Sequence, residues 1–177
     1  MQNERSKNHS IPFIALTETW LKSYIKDAQL HIPNYVVSRS DRDKHTGGGV
    51  LLFSHQNIPV SEKFEFDDGI CQGLICKFDT VKMYVIAAYR PPDASNESSA
   101  ALIEFMSSMI EMGDHSYTLC ITGDFNFPNI DWDTFSVSSG GQSDSYISGK
   151  RFLLFVSDKF LNQLSMCQLP NTKFKYS

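Results

Sequence analysis

Apolar residues in this chain fall in short runs, some alternating or continuous as in strands and others spaced three or four apart as on a helix face. Pro12 to Thr17 is a short apolar run that predicts a buried strand. Trp20 to Leu30 carries Trp20, Leu21, Tyr24, Ile25 and Ala28 at close to helical spacing, and His31-Ile32-Pro33-Asn34 ends that predicted helix. Tyr35 to Ser38 and Gly49 to Ser54 read as strands flanking a charged loop, Arg39 to Gly48. Gly69 to Phe78 and Met83 to Tyr89, separated by Asp79-Thr80-Val81-Lys82, predict an antiparallel hairpin.

Pro91-Pro92-Asp93 ends the second hairpin strand, since proline cannot continue the ladder. Ser95 or Asn96 can cap a helix whose apolar face is Ala101, Leu102, Phe105, Met106, Met109, Ile110 and Met112, with Gly113 closing it. Tyr117 to Thr122 reads as a further strand. A long loop follows from Phe125 to about Tyr146, with Gly140-Gly141 inside it. Phe152, Leu153, Phe155, Val156, Phe160, Leu161 and Leu164 mark a last helix. Residues 1–10 are polar and read as disordered or a cut end. No repeat or linker divides the chain, so the expected class is α/β (α+β) in one domain over 11–177.

Composition sharpens this picture. A length of 177 residues, 41% hydrophobic and 20% charged, matches one packed domain and argues against wholesale disorder. Aromatics at 12%, with 13 Phe, suggest a thick core rich in strands. The net charge of -4 and pI near 5.7 argue against a protein that coats nucleic acid by bulk charge. A local basic strip beside an acidic metal site stays open. Cys71, Cys76, Cys120 and Cys167 form no C-x-x-C pair, which argues against a zinc finger, and Cys71, Cys76 and Cys120 lie in apolar strand-like runs and read as reduced core thiols. No run approaches the ~20 apolar residues of a membrane span, and Ile11 to Leu16 is shorter than the core of a secretory signal. The expectation is a soluble intracellular protein, nuclear or cytoplasmic and not secreted.

Three strand ends carry polar residues that packing does not require: Thr17-Glu18-Thr19-Trp20, Tyr89-Arg90-Pro91-Pro92 and Gly123-Asp124-Phe125-Asn126. A rigid sheet holds such side chains while their tips reach a cleft. Asp124 and Asn126 are two apart, so in an extended chain both point to one side. A carboxylate at one strand end and an Asp/Asn pair at another make an oxygen-rich site of the kind that suits Mg²⁺ or Mn²⁺. Each motif alone also has an ordinary structural reading: a turn or helix cap for Asp-x-Asn, a helix-dipole partner for Glu18, a half-buried core phenol for Tyr89.

In combination and order, these segments resemble the endonuclease/exonuclease/phosphatase family, most closely the endonuclease domains of non-LTR retrotransposons. The resembling stretches are Ile14 to Leu21, Arg42 to Val50, Ala88-Tyr89-Arg90-Pro91-Pro92 and Thr122 to Asn126, with Pro128-Asn129-Ile130-Asp131-Trp132 typical of the retrotransposon branch. The resemblance implies a two-sheet α/β sandwich with an active site at one end of the cleft between the sheets. It implies Glu18 as metal ligand, Asp124 orienting or deprotonating the attacking water, Asn126 holding water or phosphate, and Tyr89 donating to the phosphate. Arg90 is a weaker candidate for a DNA-backbone contact. It further implies a DNA substrate and a reverse transcriptase domain in the full polypeptide.

The chain departs from the family pattern at both ends. The family's first strand with its Asn, and its closing Ser-Asp-His element, have no counterpart here; Ser157-Asp158-Lys159 lies in the last predicted helix and lacks the His. The expectation is therefore an incomplete domain whose activity is impaired, since losing one member of a catalytic set can cost orders of magnitude in rate. The loop Arg39 to Gly49 lacks the Lys-Ser/Thr ending of a nucleotide P-loop and reads as a flexible turn; its functional reading is a DNA-backbone contact by Arg39, Arg42 or Lys44. Two alternatives remain: a phosphatase or phosphodiesterase of the same fold, and a non-enzymatic remnant that keeps only the pattern.

Overall fold

The computed structural model describes residues 11–43, 46–138 and 143–163. The expectations placed on residues 1–10, Lys44, Gly140-Gly141, Leu164 and Cys167 lie outside the described residues.

Two sheets stack face to face. The first has three strands in the order β1 (Phe13–Thr17), β3 (Val50–His55), β2 (Tyr35–Ser40), all antiparallel. The second has four in the order β4 (Glu62–Asp67), β5 (Gln72–Phe78), β6 (Met83–Tyr89), β7 (Thr118–Asp124). Its β5–β6 pair is the expected antiparallel hairpin, whereas β6 and β7 run parallel, joined through α1 (Asn96–Met112). Two-residue strands β8 (Ile130–Asp131) and β9 (Ser136–Val137) form a small hairpin before α2 (Asp144–Asp158).

Period-two alternation divides the side chains of the second sheet between two cores. Leu74, Cys76 and Phe78 of β5 and Val85, Ala87 and Tyr89 of β6 face the first sheet, where they meet Val50 and Leu52. Their neighbours Ile75, Ile86 and Ala88 face the helices and meet Leu102, Ile103 and Met106 of α1 and Phe152, Leu153, Phe155 and Val156 of α2. At about 1.5–3 kcal/mol per fully buried aliphatic or Phe side chain, β5 and β6, covered on both faces, carry more stabilisation than any other pair. The first sheet is less well covered: Leu16 on its outer face is 46% exposed. The architecture is a mixed α/β two-sheet sandwich with a helical layer on the larger sheet.

Three local expectations need correction, and one strand is additional to them. The segment Trp20 to Leu30 is not a helix; only Asp27–Leu30 forms a turn of 3-10 helix. Its amides bond elsewhere, Trp20 N donating to Gly48 O (3.0 Å) and Ser23 N to Asp43 Oδ1 (2.8 Å), and the Lys22 side chain joins them, its Nζ donating to Arg42 O (2.5 Å). Second, β2 continues through Ser40, so Arg39 is a strand residue paired with Leu51 rather than a loop residue. Third, the stretch after Phe125 contains the β8–β9 hairpin and the start of α2 at Asp144. The additional strand is Glu-Lys-Phe-Glu-Phe-Asp, the edge strand β4, with Phe64 and Phe66 packed towards α1 and charged residues between them. Ser95 caps α1 as expected, its hydroxyl accepting from Ser98 N at 3.2 Å.

Two of the expected core thiols, Cys71 and Cys76, are fully buried, and burial pushes them up to about 12 and about 11, whereas Cys120 is only partly buried. Among the described residues no helix is long and apolar enough to cross a membrane.

Candidate active site

Glu18, Tyr89 and Asp124 meet at one end of the inter-sheet cleft because three strands end there. Tyr89 and Asp124 are the last residues of β6 and β7 and are register partners, so they stand side by side on the cleft face. Glu18 follows the last residue of β1, from the other sheet. The Tyr89 hydroxyl donates a hydrogen bond to Glu18 Oε1 and links the two sheets at their mouth.

Two further donors hold the Glu18 carboxylate: Trp20 Nε1 at 2.7 Å and the Gly48 amide at 3.1 Å, both on Oε2. The Tyr89 hydrogen bond, helped by those two donors and the Arg42 charge, holds the Glu18 carboxyl below its ordinary value. Tyr89 responds the other way. Burial first, then its bond to Glu18 and the charges of Glu18 and Asp124, push its phenol well above the ordinary range. It therefore stays protonated and remains a donor at any physiological pH.

Backbone conformations rare for side-chain-bearing residues build this corner. Glu18 and Trp20 adopt positive φ, 54° and 55°, at a cost on the order of 1–3 kcal/mol each. The glycine triplet opposite makes room: a Cβ on Gly48 would lie 2.6 Å from Gln72 Oε1, and one on Gly49 only 2.5 Å from Thr19 Oγ1. The Gly47 to Gly49 loop is thus a close-packed seat for the Glu18 turn rather than a slack connection. On β7, Gly123 has φ 140°, and a Cβ there would fall 1.9 Å from Ala88 O. Only glycine lets β7 approach β6 at the residue before Asp124.

The chain does not stay extended past Asp124. Its Oδ1 accepts from Asn126 N at 3.2 Å, Asn126 takes φ 47°, and Asn126 Nδ2 donates to Arg90 O at 2.9 Å. Asp124 and Asn126 are brought together by a turn, not by strand alternation.

Of the expected arginines, only Arg42 lines the cleft, together with Glu18, Trp20, Gly47, Gly48 and Tyr89; the cleft holds about 480 Å³. Its Nη2 donates to Gly69 O at 2.5 Å. Arg90, expected at the DNA backbone, is instead 1% exposed, with donors directed at Ser99 Oγ (2.9 Å), Pro91 O (3.1 Å), Ala94 O (3.3 Å) and Asn126 O (3.0 Å). Its guanidinium also lies 4.3 Å from the centre of the Phe127 ring. That placement fixes the Phe125–Asn126 turn and keeps Arg90 away from the cleft. Arg39 is paired with Asp27 at 3.2 Å and Asp41 at 3.3 Å, which neutralise its charge.

Sequence reasoning passed over Trp20 and Gln72. Gln72 is fully buried, accepts from Gly49 N at 3.4 Å and donates to Asp67 Oδ1 at 3.1 Å, tying the glycine loop to β5. A buried-strand pattern interrupted by one amide was the available signal.

The donor set suits a hard divalent cation that keeps most of its water. Glu18 is exposed, and three of the roughly four lone-pair sites of a carboxylate are taken there, leaving one. Among the described residues no three-member cluster of His, Cys, Asp or Glu exists to replace the whole hydration shell. Mg²⁺ is ordinarily held through one or two carboxylates plus waters and substrate phosphates, which this corner permits.

Comparisons with known proteins match this fold. One solved structure with the same fold is a variant of the 3′ phosphatase NExo from Neisseria bound to a product DNA hairpin. It has a TM-score of 0.63 and 16% identity, covering 86% of this chain and 62% of that one. Another is an AP endonuclease from Archaeoglobus fulgidus, with a TM-score of 0.58 and 14% identity, covering 83% of this chain and 60% of that one. The chain thus spans about three fifths of the length of these two proteins, at 62% and 60%. No curated protein matches the sequence significantly. The model of the endonuclease/exonuclease/phosphatase family matches residues 7–173, nearly the whole sequence, and the chain belongs to that family.

Proposed function

We propose that the chain is a phosphodiester hydrolase acting on DNA, an endonuclease of the retrotransposon type that nicks a target strand and leaves an end from which reverse transcription is primed. One observation carries this reading: Glu18, Tyr89 and Asp124, from three strands and both sheets, converge at one mouth of the cleft around a hydrogen bond between Tyr89 and Glu18. A reverse transcriptase domain in the full polypeptide belongs to the same reading, on the resemblance of the Tyr89 to Pro92 and Pro128 to Trp132 segments.

Hydrolysis of a phosphodiester needs a placed water, donors to the phosphate oxygens and neutralisation of the developing charge. Asp124 lies at the cleft end of β7, where its carboxylate can orient a water and take its proton. The Tyr89 phenol, kept protonated, donates towards a phosphate oxygen once substrate competes for it. Asn126 holds one amide hydrogen on Arg90 O and keeps the rest of its amide for water or phosphate. Arg42 supplies positive charge on the cleft wall, beside Glu18. Glu18 would hold Mg²⁺ or Mn²⁺, which when bound supplies charge neutralisation on the phosphate.

Side-by-side turnover of supercoiled plasmid and of a small phosphomonoester, with Mg²⁺ present, tests this reading. Nicking of the plasmid without monoester hydrolysis is the expected result. Monoester hydrolysis without nicking would point to the phosphatase alternative, and neither activity to a non-enzymatic protein.

A further inference from the structure

Trp20 is a large aromatic side chain left 62% exposed at the rim of the cleft, which is an unusual place to leave an indole. Its position is nonetheless fixed from three sides. Its Nε1 donates to Glu18 Oε2 at 2.7 Å, and its backbone N donates to Gly48 O at 3.0 Å. A Cβ on Gly47 would lie 3.9 Å from both Nε1 and Cε2, so the pyrrole edge rests against that glycine. Its φ of 55° adds a local strain that the surrounding contacts must hold. The ring is thus anchored by its edge while most of its surface faces solvent, directly beside the carboxylate proposed to hold the metal.

We propose that the open surface of the Trp20 indole is a stacking platform for a nucleobase next to the scissile phosphate. The substrate class is then DNA with an unpaired nucleotide at the cleavage site, since a base can stack on protein only after leaving its neighbours. This rests on the reading of the site as a DNA hydrolase. Phosphate and base have separate partners in the cleft: Tyr89 and Arg42 offer a donor and a charge, whereas Trp20 offers an uncharged π surface. A preset ring also avoids the ordering cost that a flexible side chain would incur on binding.

The test is fluorescence anisotropy of two labelled duplexes, one fully paired and one carrying a single unpaired nucleotide at its centre. Both are titrated with the full chain carrying Asp124→Asn to block turnover. Trp20→Ala is expected to weaken binding of the duplex with the unpaired nucleotide by about 5- to 150-fold, the range of base–aromatic stacking, and to change the paired duplex little. Trp20→Phe keeps a stacking ring but loses the Nε1 bond, and is expected to cost less than about 5-fold. In a chain with Trp132→Phe and native Trp20, the remaining indole emission is expected to be quenched by the unpaired base. That measurement holds even if Trp20→Ala fails to fold. Equal losses for Ala and Phe, or DNA binding with no effect of Trp20→Ala and no quenching, would overturn the stacking role and leave the functional reading standing. Failure of the parent chain to bind either duplex would overturn the functional reading and this inference with it.

Discussion

The phenol of Tyr89 reaches across from one sheet to donate a hydrogen bond to Glu18 at the end of the other, while Asp124 stands beside it in register. A core tyrosine could equally have been satisfied by a backbone carbonyl; here its hydroxyl donates to a carboxylate at the cleft mouth. Tyr89→Phe is therefore expected to lower kcat by about 10²–10³, as for loss of one transition-state donor, while costing only about 1 kcal/mol of stability. Single-turnover nicking and urea unfolding on the same sample check both halves.

The pH dependence follows from the same bond. Glu18 titrates below its ordinary value in the folded chain, with the Tyr89 bond as the largest cause. Its contribution to stability is therefore present above the unfolded value of 4.5 and is lost as the pH falls through the lower folded value. The Tm difference between the parent chain and Tyr89→Phe should be largest at about pH 6 and shrink towards about pH 3. A difference that widens on acidification would contradict the assignment.

Gly123 and Gly47 make a matched pair of substitutions. Both have positive φ, but a Cβ on Gly123 would sit 1.9 Å from Ala88 O, whereas one on Gly47 meets nothing closer than 3.6 Å. Gly123→Ala should cost about 3 kcal/mol or more, because two strands must part, and Gly47→Ala only about 1 kcal/mol. Midpoints of urea unfolding measure the contrast.

Arg90 and Arg42 should separate by salt dependence. Arg90 is buried among carbonyls and Arg42 lines the cleft. Arg42→Ala is expected to lower the slope of log Kd for DNA against log salt by about 1, the signature of one lost phosphate contact. Arg90→Lys is expected to leave that slope unchanged and to destabilise the fold by about 3 kcal/mol through unmet carbonyls.

The strands that the sequence shows most clearly are those buried on both faces. Leu74 to Phe78 and Val85 to Ala88 read as continuous apolar runs because one core takes the odd positions and another the even ones. Strand β4 escaped notice for the opposite reason: as an edge strand it offers only Phe64 and Phe66 between charged residues. The segment Trp20 to Leu30 has helical spacing but spends its amides on Gly48 and Asp43, partners some 20 to 28 residues away that no local pattern reveals. At the site, the three strand-end motifs were visible as polar residues that packing did not need. What was not legible was their orientation: the turn that carries Asn126, the burial of Arg90, and the Trp20 bond to Glu18 all depend on which strand ends lie side by side.

The most direct test of the account is the initial nicking rate of supercoiled plasmid in Mg²⁺ for the parent chain, Glu18→Gln and Asp124→Asn, each shown to be folded by its unfolding midpoint. The account predicts that the parent nicks and that each substitution lowers the rate by at least about 100-fold. Parent and variants nicking at one rate would contradict it, since Glu18 and Asp124 could not then be where the chemistry happens.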